Sequence, residues 1–330
     1  MCGRVAWTNW LFLLALTLMF PDQAEAQLTL PESPQVWLNS RPLSSEALRG
    51  KGVFLWFFEE DCPRCRAKWP ELYALAKKYE GQPVVFIAVN SGNAPATVQQ
   101  YAREVRLGWP VIVDLTRQFE KQADVGEISL QNIMQIGAIN GHGRFRHMSY
   151  TEPEKAVEFA LQNSAWKVPP EEIPSSLRQA WLAIELGEYT SAGQAVSRAL
   201  KSRQSDIREP AQKLHSAVMT AAQPQLETAR KALEVGENWT AYRNFAEVAN
   251  TYAGFDLPDD VKDNLEKLVD DEQVQHEVKA MEALSLVEKA LPNQRAKRGN
   301  LNRLEEIVEN YPGTSAAEQA KEYIELLSAD

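Results

Sequence analysis

Four consecutive residues, Cys62-Pro63-Arg64-Cys65, carry the most reactive chemistry in this 330-residue chain. There are three cysteines, and the third, Cys2, stands at the extreme N-terminus. A thiolate attacks a disulfide, and a second thiol three residues on can displace it from the mixed disulfide so formed. An apolar run, Val53-Phe54-Leu55-Trp56-Phe57-Phe58, precedes the pair, and helix-forming residues follow it from Arg66. Strand, dithiol, helix is the context in which Cys-X-X-Cys reads as redox chemistry. A cysteine just before a helix faces free N–H groups and the positive end of the helix dipole, which favours thiolate. Cys62 is therefore the expected attacking nucleophile, and Cys65, one turn inside, the resolving thiol. Pro63 suits a first helical turn, where its missing N–H has no partner to lose.

Other uses of the pair stay open. Zinc needs about four ligands, and the four histidines, His142, His147, His215 and His276, have no ligand spacing to the pair. Two thiolates could still carry copper(I). An inert disulfide would close a very short loop, with little entropic benefit. The nearby charges oppose one another: Glu59, Glu60 and Asp61 stand before Cys62 and would disfavour a thiolate, while Arg64, Arg66 and Lys68 would favour one.

The elements that position the pair alternate. Strands are expected at 53–58, 84–89, 110–114, 133–139 and 145–150, and helices at 66–79, 97–105 and 118–124. Asn140-Gly141-His142-Gly143 marks a hairpin turn. This predicts βαβ units that finish in an antiparallel hairpin. A helix is expected at 154–164, then a proline-rich linker, Val168-Pro169-Pro170-Glu171-Glu172-Ile173-Pro174. Everything beyond 176 reads as helix. Gly187 and Gly236 are each followed five positions later by a small residue, Ala192 and Ala241, where a close helix crossing needs one. Thr314 or Ser315 is the expected N-cap of a last helix at 314–327.

The first residues read as an export signal: Arg4, an uncharged stretch from 5 to 21 with Leu11-Phe12-Leu13-Leu14-Ala15-Leu16 at its centre, and Ala24-Glu25-Ala26 as cleavage site. The alternative is an uncleaved anchor, though about 20 apolar residues are needed to span a bilayer. Cleavage would leave a soluble exported protein beginning near Gln27, with Cys62 and Cys65 as its cysteines, in a periplasmic or extracellular setting. Residues 151–330 carry 31 acidic and 20 basic side chains, while the first 150 are nearly neutral. Such an acidic half argues against nucleic acid or an anionic membrane as its partner.

Residues 34–150 resemble a thioredoxin-fold protein, and more closely the exported thiol–disulfide oxidoreductases of the TlpA/ResA type. The resemblance is carried by Cys62-Pro63-Arg64-Cys65-Arg66 with Trp69-Pro70-Glu71-Leu72, then by Trp109-Pro110-Val111, Asp114 and the 139–143 turn. The family commonly has a proline five residues after the second cysteine, here Pro70. The C-terminal half resembles degenerate tetratricopeptide-type hairpins. The resemblance implies an α/β thioredoxin-like domain, a central mixed sheet flanked by helices, followed by an all-α helical-hairpin domain. The expected division is a leader at 1–26, the thioredoxin-like domain at 27–151, helix and linker at 152–175, and helical domain at 176–330.

The resemblance further implies dithiol exchange with protein partners, no cofactor beyond the Cys62–Cys65 pair, and docking of partners on the acidic helical domain. Three positions depart from the family pattern. Met134 stands near the usual cis-proline place, Asp61 replaces the tryptophan before the first cysteine, and Trp56 occupies the place of thioredoxin's buried carboxylate. The alternative reading is a scaffold whose helical half does the work on a diverged thioredoxin-like platform; a third is a copper(I) thiol carrier.

Overall fold

The computed structural model describes residues 28–291 and 297–328. The expected leader and its cleavage site lie outside the described residues. Among the described residues no helix is long and apolar enough to cross a membrane.

Strand β1 (Trp37–Leu38) stands at one edge of a six-stranded sheet, and β2 (Gly52–Phe58) lies inside it. The remaining strands are β3 (Val84–Ser91), β4 (Val111–Asp114), β5 (Gln135–Ile139) and β6 (Phe145–Met148), in the order β1-β4-β3-β2-β5-β6. The three inner strands β4, β3 and β2 run parallel; β1, β5 and β6 pair antiparallel. All seven β2 residues are buried, so both faces of the strand must be covered. That is why it reads as an unbroken apolar run and not as an alternation. Phe54, Trp56 and Phe58 enter the core on one face, and Val53, Leu55 and Phe57 the core on the other.

The helices of this half are α1 (Pro63–Lys78), α2 (Pro95–Glu104), α3 (Gln118–Gln122) and α4 (Pro153–Ala160). Residues of α1, α2 and α4 cover the Trp56 face, while α3 and the segment from Leu28 to Leu48 cover the other. Helix α1 starts at Pro63, in the first-turn position expected of that proline, and runs on through the helix-forming stretch from Arg66. Strand β5 starts at Gln135, later than the expected 133, because Met134 takes φ +63° and breaks the extended backbone. Helix α4 packs its Ala156, Val157, Phe159 and Ala160 into the sheet core and so completes this half.

The second half is all helix: α5 (Arg178–Glu185), α6 (Tyr189–Leu200), α7 (Ser205–Glu234), α8 (Asn238–Thr251), α9 (Asp259–Val269), α10 (Glu272–Glu288), α11 (Lys297–Asn310) and α12 (Ser315–Ser328). Consecutive helices from α5 to α9 pack on one another, as do α11 and α12, which makes helical hairpins. Ala192 and Ala241 are both fully buried. The closest approach falls one residue further, at Gly193, where a Cβ would lie 2.6 Å from the Ala253 carbonyl oxygen. Thr314 caps α12: its Oγ1 accepts the Ala317 N–H at 3.1 Å.

The expected linker is pinned down. Val168 and Ile173 are buried in the helical core. The Val168 N–H donates to Glu185 Oε1 at 2.9 Å, and its carbonyl accepts Trp181 Nε1–H at 2.8 Å. The Ala165 N–H donates to the Gly50 carbonyl and Trp166 Nε1–H to that of Gly81, both at 2.7 Å. Beneath them Lys51, 1% exposed, meets Glu185, 0% exposed, with Nζ 3.1 Å from Oε2. That approach is a Coulombic contact, for Oε2 has no aligned hydrogen-bond donor. An ion pair between the two halves was not visible in the sequence.

Candidate functional site

Strand β2 ends at Phe58, and a turn through Glu59, Glu60 and Asp61 delivers the chain to α1. The turn closes with the Cys62 N–H donating to the Glu59 carbonyl at 3.4 Å. Cys62 is the N-cap of α1, in extended conformation, and its Sγ accepts the Cys65 N–H at 3.1 Å. One of the helix's free N–H groups thus points at sulfur, the arrangement that favours thiolate at a capping cysteine. Both cysteines are free thiols and both are buried, Cys62 at 2% and Cys65 at 0% exposure.

Burial pushes the Cys65 thiol up to about 12 from an ordinary 9.0, and the hydrogen bond with Cys62 and the Glu59 charge act in the same direction. A hydrogen bond from the Glu59 backbone opposes them. The cations that could have lowered a thiol pKa are turned elsewhere. The Arg66 guanidinium lies over the Tyr101 ring at 4.9 Å and pairs with Glu104 at 2.9 Å. Lys68 pairs with Glu71 at 2.6 Å. Arg64, Pro63 and Pro70 are exposed, and Pro70 lies within the helix.

The three acids of the turn divide. Asp61 is exposed. Glu60 is held by the side-chain amides of Asn90 at 3.0 Å and Asn93 at 2.6 Å. Glu59 is half-buried, and its Oε2 is shut off from solvent without a hydrogen-bond partner. Burial, and after it the Glu60 charge, raises the Glu59 carboxyl above its ordinary value.

An aromatic floor supports the dithiol. Trp69, on α1, packs edge-on to Trp56 and Phe58 and donates Nε1–H to the Tyr101 hydroxyl at 2.9 Å. Trp56 shares the buried cluster with both cysteines, and its own Nε1–H has no partner. Tyr101, on α2, is pushed up to about 12 by burial. Sequence reasoning passed over Tyr101; the available signal was helical spacing, which places it with Val98 and Ala102 on the inner face of α2. Met134 is buried in the same cluster as the cysteines, just before β5, with φ +63°. Among the described residues there is no cis peptide bond.

His142 and His147 lie away from the pair: His142 is exposed, and His147 shares a hydrogen bond with Gln135 on the β5–β6 hairpin. Among the described residues no group of three or more His, Cys, Asp or Glu side chains is placed to hold a metal ion. A groove of about 830 Å³ runs between the sheet and α5, lined by Tyr73, Trp109, Trp166, Arg178 and Trp181; neither cysteine lines it.

Comparison with known proteins gives matches to the dithiol-bearing half. Residues 25–139 match the AhpC/TSA family model. The thiol-disulfide oxidoreductase ResA of Halalkalibacterium halodurans is 35% identical over 77 residues, 23% of this chain and 44% of that protein. ResA of Bacillus subtilis is 30% identical over 90 residues, 27% of this chain and 50% of that protein. The chain thus spans about half the length of the curated relatives it matches. Among solved structures, a thiol:disulfide interchange protein of the thioredoxin family from Chlorobium tepidum is 21% identical, covering 42% of this chain and 99% of its own, with a TM-score of 0.35. A secreted Mycobacterium tuberculosis disulfide oxidoreductase is 20% identical, covering 41% and 98%, with a TM-score of 0.32. The mixed sheet, its flanking helices and the dithiol at the strand–helix junction make a thioredoxin-like fold, and residues 25–139 within it match the AhpC/TSA family model.

Proposed function

We propose that this chain is a thiol–disulfide oxidoreductase that exchanges the Cys62–Cys65 dithiol with disulfides or dithiols of partner proteins. The observation that carries the reading is the cap: Cys62 Sγ accepts the Cys65 N–H at 3.1 Å, so the helix N-terminus is aimed at one of two adjacent free thiols. In this reading Cys62 attacks, and Cys65 resolves the mixed disulfide. Electrons pass from the two thiols to the partner disulfide, and no further cofactor takes part. Because Cys62 is 2% exposed, a partner must displace part of its cover. The expected setting is an exported one, periplasmic or extracellular, and the acidic helical-hairpin half is the surface proposed to dock partners.

Two measurements test this. A redox titration against a dithiol buffer should give a two-electron couple, and Cys65→Ser should accumulate mixed disulfides on Cys62. A pair that shows no exchange even with a strong reductant refutes the proposal. Biological activity that survives replacement of both cysteines would favour the scaffold reading instead. Tight copper(I) binding that protects both thiols from alkylation would favour a metal carrier.

A further inference from the structure

The groove between the sheet and α5 is used by none of the thiol chemistry, yet it is built as binding sites are built. Its volume of about 830 Å³ lies within the range of about 300–1,000 Å³ of small-molecule pockets, which favour domain interfaces and aromatic linings. Tyr73 and Trp109 line it from the sheet half, Trp166 and Trp181 from α5 and the segment leading into it. These rings are fixed before any ligand arrives. Trp109 lies 5.1 Å from Phe86 and 5.9 Å from Tyr73 between centroids, and Trp166 meets Trp181 edge-on at 5.2 Å. A preformed aromatic surface pays little ordering entropy when it is covered.

The polar groups of the lining narrow the occupant. Most of its ring donors are already used. The Tyr73 hydroxyl donates to the Val105 carbonyl at 3.0 Å, Trp166 Nε1–H to Gly81 at 2.7 Å and Trp181 Nε1–H to Val168 at 2.8 Å. The Tyr79 hydroxyl is bound to Glu154 at 3.2 Å, and Lys77 is paired with Glu80. Two donors have no acceptor among the described residues: Trp109 Nε1–H and the Arg178 guanidinium. Arg178 is exposed and lies 5.6 Å from the centre of the Trp181 ring. Stacking occupies the face of a guanidinium and leaves its in-plane N–H fork for a carboxylate.

Both free groups only donate, so the occupant must bring acceptors. An extended peptide would bring its own N–H groups as well, to a lining whose side-chain acceptors are the Gln82 amide and the Glu80 carboxylate already held by Lys77. N–H groups left unpaired there would offset the gain from covering the rings. Charge points the same way. Lys77 and Glu80 cancel, which leaves Arg178 as an unbalanced positive charge beside apolar rings. We propose that this groove binds a small aromatic carboxylate of one or two rings, its ring system against the tryptophans and its carboxylate on Arg178. The site is separate from the dithiol, and the inference does not depend on the exchange reading.

The test titrates the full chain with naphthoate and with benzoate by calorimetry at neutral pH, with methyl naphthoate as the uncharged control. Naphthoate should bind at a single site, and its methyl ester about tenfold or more weaker, as the loss of a hydrogen bond to a charged group requires. Arg178→Gln should weaken naphthoate by about the same factor and leave the ester within about twofold. Leu182, a groove residue 45% exposed, gives a second variant. Leu182→Glu sets a like charge in the ligand's path and should abolish naphthoate binding. Neither side chain is buried, so both variants should keep the circular dichroism of the wild type. No binding of either acid at millimolar concentration overturns the proposal, and so does binding that both variants leave unchanged. An ester that binds as tightly as the acid overturns the assignment of a carboxylate to Arg178.

Discussion

Cys65 should be a nearly inert thiol at neutral pH, and its reactivity can be isolated in Cys62→Ser. A pKa of about 12 in place of 9.0 lowers the thiolate fraction at about pH 8 roughly a thousandfold, from about a tenth to about one in ten thousand. The variant removes the contributions of Cys62, which rank below burial, so a slowing of about a hundred- to a thousandfold is expected. The assay is iodoacetamide alkylation of Cys62→Ser, followed by mass, against a solvent-exposed cysteine peptide. Burial also blocks the reagent sterically, and that effect is independent of pH. The decisive measurement is therefore the pH profile. With a raised pKa the rate climbs about tenfold per pH unit beyond pH 10, where an ordinary thiol has levelled off. A plateau near pH 9 would refute the argument that burial holds Cys65 neutral.

Four other outcomes follow from the same geometry. Lys51→Ala should cost about 3 kcal/mol in chemical denaturation, because it removes the ion-pair partner of the fully buried Glu185 and leaves Lys167 as the cation nearby; Lys51→Met with Glu185→Leu should recover part of it. Met134→Pro should destabilise by at least about 2 kcal/mol, since the ring holds φ near −65° and Met134 takes +63°; a melting temperature equal to wild type would contradict this. Gly193→Val should cost about 1–3 kcal/mol, because its Cβ meets the backbone of Ala253 and Gly254 at 2.6–2.9 Å; thermal unfolding reads the loss. Alkaline titration should unfold the protein cooperatively. Cys65, Tyr101 and Tyr252 are each raised to about 12 by burial, so their neutral forms are favoured in the fold. Their stabilising contribution is complete below the unfolded values near 9–10 and is lost as pH rises toward 12. Circular dichroism and tyrosinate absorbance should change together.

The parts of the fold that were legible are those governed by short-range rules. β2 and β3 announced themselves as apolar runs because both their faces are covered. The hairpin at Asn140-Gly141 was marked by its turn residues, and the small residues Ala192 and Ala241 by their distance from the preceding glycines. The start of β5 was misplaced, because Ile133 and Met134 are apolar and buried yet lie outside the strand. Their burial comes from the dithiol cluster and leaves no distinctive pattern along the chain. The contacts that hold the segment read as a linker were hidden for a related reason. Prolines 169, 170 and 174 do interrupt helix, but Val168 between them and Trp166 is tied by Glu185 and Trp181, which come later in the chain.

The charges around the dithiol show the division most clearly. The sequence by itself determined that a dithiol stands between a buried strand and a helix, with three acids before it, one cation within it and two after. These are facts of order and spacing, and Pro63 and Cys62 at the helix start follow from local chain geometry. Only the tertiary structure decided which charges matter. Arg66 turns to Tyr101 and Glu104, Lys68 to Glu71, Glu60 to Asn90 and Asn93, and Asp61 to water. Glu59 is half-buried with one carboxylate oxygen shut off from solvent, and the Asn93 amide and Arg117 charge that act on it come from far along the chain. Burial, which dominates the thiol's pKa, is a property of the packed molecule and cannot be summed from neighbours in sequence.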